Sequence, residues 1–340
     1  MWHDHLECKP KPILADVLAS SLAKMDVNLQ FWRSEGQSFL RRLYHWVNIL
    51  DPSGLLSSDD EIEKARSQLG NTGDLLSKDK VMDAWKLSLS SVHPDTGSTL
   101  PVIFRPPAFL PVASPLVIGS FLPHKGVKSA LFWQFLLQSF SAGFNYANRN
   151  ATSLKDNKVS LKQLVLIAGS VTYATCVGTL PQFVMTRYGL TSPSVQRFFR
   201  SVLPVPLSAF LSAFNVLVVR AEEYESGIQV FDSNGNAVGV SQKAGMKAVN
   251  ETAVSRAVMI GTTAAVPNLL VGFLQRTRFG QRSPLVVAPF RHITTALVLG
   301  LMIPVSFSLF PQLGTIQKDK LEKELQAATS DGQLFYHRGL

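Results

Sequence analysis

Hydrophobic and polar positions along this 340-residue chain follow two regimes. Up to about residue 104, apolar side chains recur at helical spacing among many charges. In SEGQSFLRRLYHWVNILDPSG, Phe39, Leu40, Leu43, Trp46, Val47 and Leu50 share one face of a predicted helix. Ser34 with Gln37 reads as its capping box, and Asp51-Pro52-Ser53-Gly54 as its stop. The stripe fits packing against the protein or lying on a bilayer surface. Packing is the expectation, because amphipathic helices usually face a core. Ser58 with Glu61 caps a second helix that Gly70 closes, and KDKVMDAWKLSLSSV forms a third. Residues 1–28 read as a flexible tail and 29–104 as a small acidic helical domain.

After Phe104 the pattern becomes long apolar runs. Those at 127–147, 161–183, 199–219, 254–275 and 285–310 reach the roughly 20 residues a bilayer span needs. A shorter run, 107–122, carries Pro107, Pro111 and Pro115 and reads as a broken or half-length segment, with an interfacial segment as the alternative. The predicted fold is an all-α multi-pass membrane protein. It has about five transmembrane helices plus a Pro-broken segment within 105–312, then a C-terminal tail, 313–340. Loop 220–253 departs from this pattern. GIQVFDSNGNAVGVS predicts a short β-hairpin at 226–241 around Asn234-Gly235, since both turn residues accept positive φ.

Charge supports the division. Residues 1–104 hold 11 Lys/Arg against 14 Asp/Glu, net −3, while 105–340 hold 22 against 10, net +12. Basic residues sit in short clusters between apolar runs, which fits loops at a lipid bilayer and argues against a nucleic-acid partner. If 107–122 crosses, the acid-free loops 123–126, 184–198 and 276–284 lie on one side. The acidic N-terminal domain and loop 220–253 lie on the other, away from matrix or cytosol by the positive-inside rule. Two cysteines, Cys8 and Cys176, give neither a disulfide framework nor a zinc spacing. The first residues look like neither a secretory signal nor an Arg-rich transit peptide.

Enzyme motifs such as G-x-S-x-G, H-E-x-x-H and Walker A do not occur, so no enzyme is predicted. His3, His5 and Cys8 are too few for a structural metal site, and no ligand set for a cofactor stands out. Polar residues in the apolar half are more informative, because they are costly in a membrane. Gln134, Gln138, Ser141, Asn145 and Asn148 recur every three or four residues on one helix face. They fit a path for a small polar solute, or hydrogen bonds that hold helices together. Arg149 reads as snorkelling at the boundary and Arg256 as lying near a helix end. Pro181, Pro204, Pro206, Pro267 and Pro304 fit interrupted helices of the transporter kind. His93-Pro94-Asp95-Thr96-Gly97 reads as a turn, with Asp95 and Thr96 bonding nearby backbone and Gly97 at positive φ. Contact of His93 or Asp95 with a solute or partner is the second reading.

HPDTG at 93–97, FWQ with QSF and NYANRN at 132–150, NGN with G and S at 234–241, and FPQ at 310–312 resemble the signatures of the sideroflexin family, in family order. The resemblance implies a multi-pass mitochondrial inner-membrane protein that carries amino acids, serine above all. FWRSEGQSFLRRLYHWVNILDP, FRPPAFLP, SFSLFPQLGTIQ and FYHRGL look most like a branch linked instead to assembly of respiratory complex I and to iron–sulfur and haem homeostasis. That branch implies complex I assembly factors as partners. Three positions depart from the family pattern. Ser98 stands where HPDTG is followed by Glu, and Leu137 and Ser141 stand at two Asn positions. Losing such groups weakens recognition of an amino acid's polar ends, so serine itself is not the expected solute.

Overall fold

The computed structural model describes residues 24–71, 78–122, 124, 126–151, 160–189 and 192–340. Residues 1–23, which make up most of the expected tail, and the His3/His5/Cys8 group lie outside it. Helix α1 (Val27–Glu35) is capped by Asp26, whose carboxylate accepts from the Asn28 amide at 2.9 Å. Helix α2 (Phe39–Ile49) is capped by Ser38. The Ser34–Gln37 capping box is therefore corrected, since Ser34 lies in the last turn of α1. The chain turns between them at Gly36, where a Cβ would meet the Trp32 carbonyl oxygen at 2.4 Å. Helix α3 (Asp59–Asn71) keeps its predicted box: Glu61 N donates to Ser58 Oγ at 3.3 Å and Ser58 N to Glu61 Oε2 at 3.0 Å. Helix α4 spans Lys78–Ser91.

These helices share a core with the apolar half. Trp46 packs edge-on to Phe307 at 5.1 Å, and Arg42 Nε donates to the Ser308 carbonyl at 2.9 Å. Two 3₁₀ turns, Val102–Phe104 and Pro106–Ala108, lead into α5 (Phe109–Phe121). The expected Pro-broken segment is thus a short continuous helix. Pro111 falls in its first turn, where the N–H has no partner to lose, and the irregular backbone lies before it.

Helix α6 (Val127–Ala147) follows. The next four helices, α7 (Leu161–Tyr188), α8 (Pro193–Val219), α9 (Gln242–Arg276) and α10 (Val287–Leu309), are long and apolar enough to cross a membrane. Five predicted spans thus become four, plus α6, whose 21 residues suffice in length but carry Gln, Ser and Asn on one face. Pro181, Pro267 and Pro304 lie inside unbroken helices. Irregular backbone occurs instead as a π-helical turn, Phe198–Val202, in α8 ahead of Pro204.

The predicted hairpin forms from β1 (Ile228–Phe231) and β2 (Ala237–Ser241), with Gly235 at φ 80°. It is half of a larger unit. The segment expected to be a tail supplies β3 (Leu313–Gln317) and β4 (Gln333–His337), giving an antiparallel sheet of order β2-β1-β4-β3. A lone hairpin has little stability. The two added strands bury Ile316, Leu334 and Tyr336 with Leu321 and Leu325.

Candidate functional site

A cavity of about 150 Å³ lies among α5, α6, α7, α8, α9 and α10. The polar face of α6 supplies Gln134, Gln138 and Ser141 to its wall. Their side chains make no hydrogen bond to any described residue. Gly178 of α7 makes room for the first: a Cβ there would meet Gln134 Oε1 at 2.7 Å. Gln182, Asn268 and the prolines Pro181, Pro204 and Pro267 also line it. Two of these amides hold structure. Gln182 Nε2 donates to the His124 carbonyl at 2.8 Å, and Asn268 Nδ2 to the Ser201 carbonyl in the π turn at 3.3 Å.

The mouth lies at the basic end. It is formed by Leu122 and His124 before α6, Met185 late in α7, Phe199 and Arg200 early in α8, and Arg291 early in α10. Neither guanidinium has a hydrogen-bond or carboxylate partner among the described residues. Among the described residues no Asp or Glu lines the cavity, and the sequence has none over 105–155, 157–221 or 252–318. Arg291 is half-buried and Arg200 exposed, and unpaired cations with no acid nearby favour an anionic group, most strongly at Arg291.

The inner end is closed. Asn145 is buried, and its Nδ2 donates to Asn215 Oδ1 of α8 at 2.9 Å; Asn215 Nδ2 reaches the Gln138 carbonyl at 3.4 Å. Arg256 lies one turn from Ile260, a lining residue, and is buried. Its guanidinium sits 4.5 Å from the Phe307 ring centre and 5.8 Å from Phe144, and Nη1 donates to Ser306 Oγ at 3.2 Å. The reading of Arg256 as near a helix end is corrected, because α9 starts as far back as Gln242.

Beyond that floor the remaining predicted residues form a polar clasp. Asn148 caps α6, its Nδ2 donating to the carbonyls of Phe104 at 2.9 Å and Phe144 at 3.0 Å. Arg149 does not snorkel. It is buried, stacks 3.7 Å over Tyr146 and donates from Nη1 to the Tyr146 carbonyl at 2.6 Å. Its own carbonyl pairs with His93 Nε2 at 2.8 Å. The HPDTG turn forms, with Gly97 at φ 69° and its N–H donating to the His93 carbonyl at 2.9 Å. Pro94 lines a small cavity of about 40 Å³ beside His93 and His337, and Thr96 bonds Ser98 at 2.7 Å. Asp95 is not a local turn-former. Its side chain is buried, accepting from the Ala151 amide at 3.0 Å and pairing with His337 Nδ1 at 2.9 Å. Burial pushes the Asp95 carboxyl up, but His337 together with His93 and the Ala151 amide outweighs it, holding the group below the usual carboxylate range. Beside it Arg220 forms a buried two-point pair with Glu223 and donates to the Arg338 carbonyl.

The predicted solute face therefore divides. Gln134, Gln138 and Ser141 face the cavity, Asn145 ties helices, and Asn148 and Arg149 belong to the clasp. Arg200, Arg291 and His124 are cavity residues that the periodicity argument did not pick out. Arg291 carried a legible signal, a cation inside an apolar run.

A family model described as sideroflexins matches residues 26–340. A zebrafish (Danio rerio) protein, sideroflexin-4, is 57% identical over 317 residues, covering 93% of this chain and 100% of its own. Human sideroflexin-4 is 40% identical, with 94% of each chain covered, and human sideroflexin-5 is 31% identical, with 91% of each covered. No solved structure matches. With its multi-pass helical architecture and a family match over nearly its whole length, the chain belongs to the sideroflexin family.

Proposed function

We propose that the chain moves a small polar solute bearing a carboxylate across the mitochondrial inner membrane, through the cavity beside α6. The supporting observation is one arrangement: Gln134, Gln138, Ser141 and Arg291, with the exposed Arg200 at the rim, line a single cavity, and their side chains have no partner among the described residues. Polar groups left free inside an apolar bundle are costly unless something else binds them. An amino acid or related carboxylic acid fits the charge, with Arg291 or Arg200 meeting the carboxylate and the carboxamides meeting neutral polar groups. The cavity opens at the basic end and stops at the Asn145–Asn215 pair, as one state of an alternating-access carrier would. A panel of amino acids and dicarboxylates tests this reading by thermal shift of the purified protein. Carboxylates raise the melting temperature, amines of the same skeleton do not, and Arg291→Ala removes the shift. A flat panel with the wild-type protein overturns it.

A second reading is a membrane scaffold for assembly of respiratory complex I, as resemblance to one branch implies. Its support is also local. Leu137 and Ser141, which stand at the family's two Asn positions, both line the cavity, so its wall is altered. Ser98 lies apart, exposed on the turn beyond the opposite end. Null cells carrying Arg291→Ala separate the readings: full recovery of complex I without solute binding supports the scaffold.

A further inference from the structure

Helix α2 is amphipathic with its apolar face turned outward. Arg42, His45, Trp46 and Ile49 are buried against the protein. Leu40, Tyr44 and Val47, at i, i+4 and i+7, are 73%, 65% and 57% exposed, and Phe39 is 39% exposed. The buried Arg42 and His45 both find partners in this orientation. Arg42 donates to the carbonyls of Ser308 at 2.9 Å and Gly36 at 3.0 Å, and His45 Nε2 lies 3.2 Å from the Glu35 carboxylate. Rotating the helix would strand a guanidinium and an imidazole, so the outer face stays uncovered by the described residues.

Depth identifies that neighbour. Trp46 and Arg42 contact Phe307 and Ser308, in the last turn of α10, which ends at Leu309. A helix of that length runs about 35 Å, against a hydrocarbon core of about 30 Å. Its last turn therefore lies where acyl chains meet headgroups, and α2 lies beside that turn. Val102 and Ile103, on the chain entering α5, are also exposed. The exposed Arg41 is already paired with Glu35 at 3.0 Å, so the face offers apolar area rather than a cationic patch.

We propose that α2 is an in-plane interfacial helix, with Phe39, Leu40, Tyr44 and Val47 seated in the bilayer at the end of the bundle where α10 finishes. The bilayer is the occupant because α2 packs on the last turn of a span, at the depth where acyl chains meet headgroups. Insertion rests on apolar contact and does not require anionic headgroups. The helix thereby fixes the N-terminal helices to the membrane surface.

Nitroxide labels at 40, 44 and 47, with Gln37 as control, test this on the full chain in phosphatidylcholine nanodiscs, in a Cys8→Ser, Cys176→Ser background. Accessibility to oxygen exceeds that to a water-soluble nickel chelate severalfold at the three positions, and the order reverses at 37. The proposal is overturned if all four are equally open to the chelate. It is also overturned if 44 and 47 are shielded from both reagents, as a contact with a second copy or another protein would give. Hydroxyl-radical footprinting of the unlabelled chain needs no substitution. Tyr44 is protected severalfold relative to the denatured chain, and an equal rate sinks the idea.

Discussion

Asn145 and Asn215 pair across α6 and α8, amide to carbonyl oxygen at 2.9 Å, both buried and just inside the cavity floor. Asn215 Oδ1 accepts from Asn145 while its own amide reaches the Gln138 carbonyl. Replacing either by Ala leaves an unpaired amide, while replacing both removes the mismatch. A double-mutant cycle on thermal unfolding in detergent should give a coupling of about 0.6–1.7 kcal/mol, the range of side-chain pairs within membranes. Additive losses would show that the pair does not act as a unit.

Arg291 stands at the mouth without a carboxylate partner among the described residues. Arg291→Ala should raise the KM for a carboxylate solute about tenfold, roughly 1.4 kcal/mol. Arg291→Lys should recover part of it, keeping the charge but losing the planar fork. Uptake kinetics check both, and a KM unchanged in the Ala variant contradicts the assignment.

Gly178 leaves space that Gln134 occupies. A Cβ would come within 2.7 Å of Gln134 Oε1, the end of a flexible side chain. Gly178→Ala should therefore fold with a loss below about 1.5 kcal/mol, yet push Gln134 into the cavity and weaken solute binding. Binding isotherms beside melting curves separate the two effects. Unchanged binding would mean Gln134 relaxes outward.

Asp95 and His337 join the HPDTG turn to the last strand. His337→Ala leaves the Asp95 carboxylate buried with only the Ala151 amide, a loss of about 3–5 kcal/mol. Asp95→Asn should cost less, because an amide still bonds. Equal effects in chemical denaturation would argue against a charged pair.

His93 sets the pH dependence. Burial holds its imidazole below the ordinary value, and Asp95 only partly restores it. The unfolded chain, with a value near ~6.5, then binds the proton more readily than the folded one. Stability is therefore full above that pH and falls as pH drops through the window below it. Asp95 is shifted down, so its contribution survives until the pH is below the ordinary carboxylate value of ~3.9. Melting temperature should fall between pH 7 and pH 5, and His93→Gln should flatten the slope. An unchanged slope assigns it to another group.

Local patterns in the sequence carried much of this architecture. Periodicity located the polar face of α6 and the apolar runs, and Asn234-Gly235 located the hairpin. The division of that face was not legible, because Asn145 is spoken for by Asn215, 70 residues away in the chain. The C-terminal strands were hidden for a similar reason. LGTIQ and QLFYH are short, and only pairing with β1 makes them a sheet. Asp95 looked like a turn residue because its sequence neighbours make a turn, while its partner His337 lies at the other end of the chain. For α2 the spacing was right but the face was not. Trp46 faces in, and Leu40 and Val47 face out, because Arg42 and His45 find their partners inside.

Uptake of labelled amino and carboxylic acids into proteoliposomes, comparing the wild-type chain with Gln138→Ala and Arg291→Ala at equal reconstituted protein, tests the central claim most directly. The account predicts saturable uptake of at least one carboxylate solute, reduced severalfold in both variants. No uptake above empty liposomes across the panel, or equal uptake by all three proteins, would contradict it.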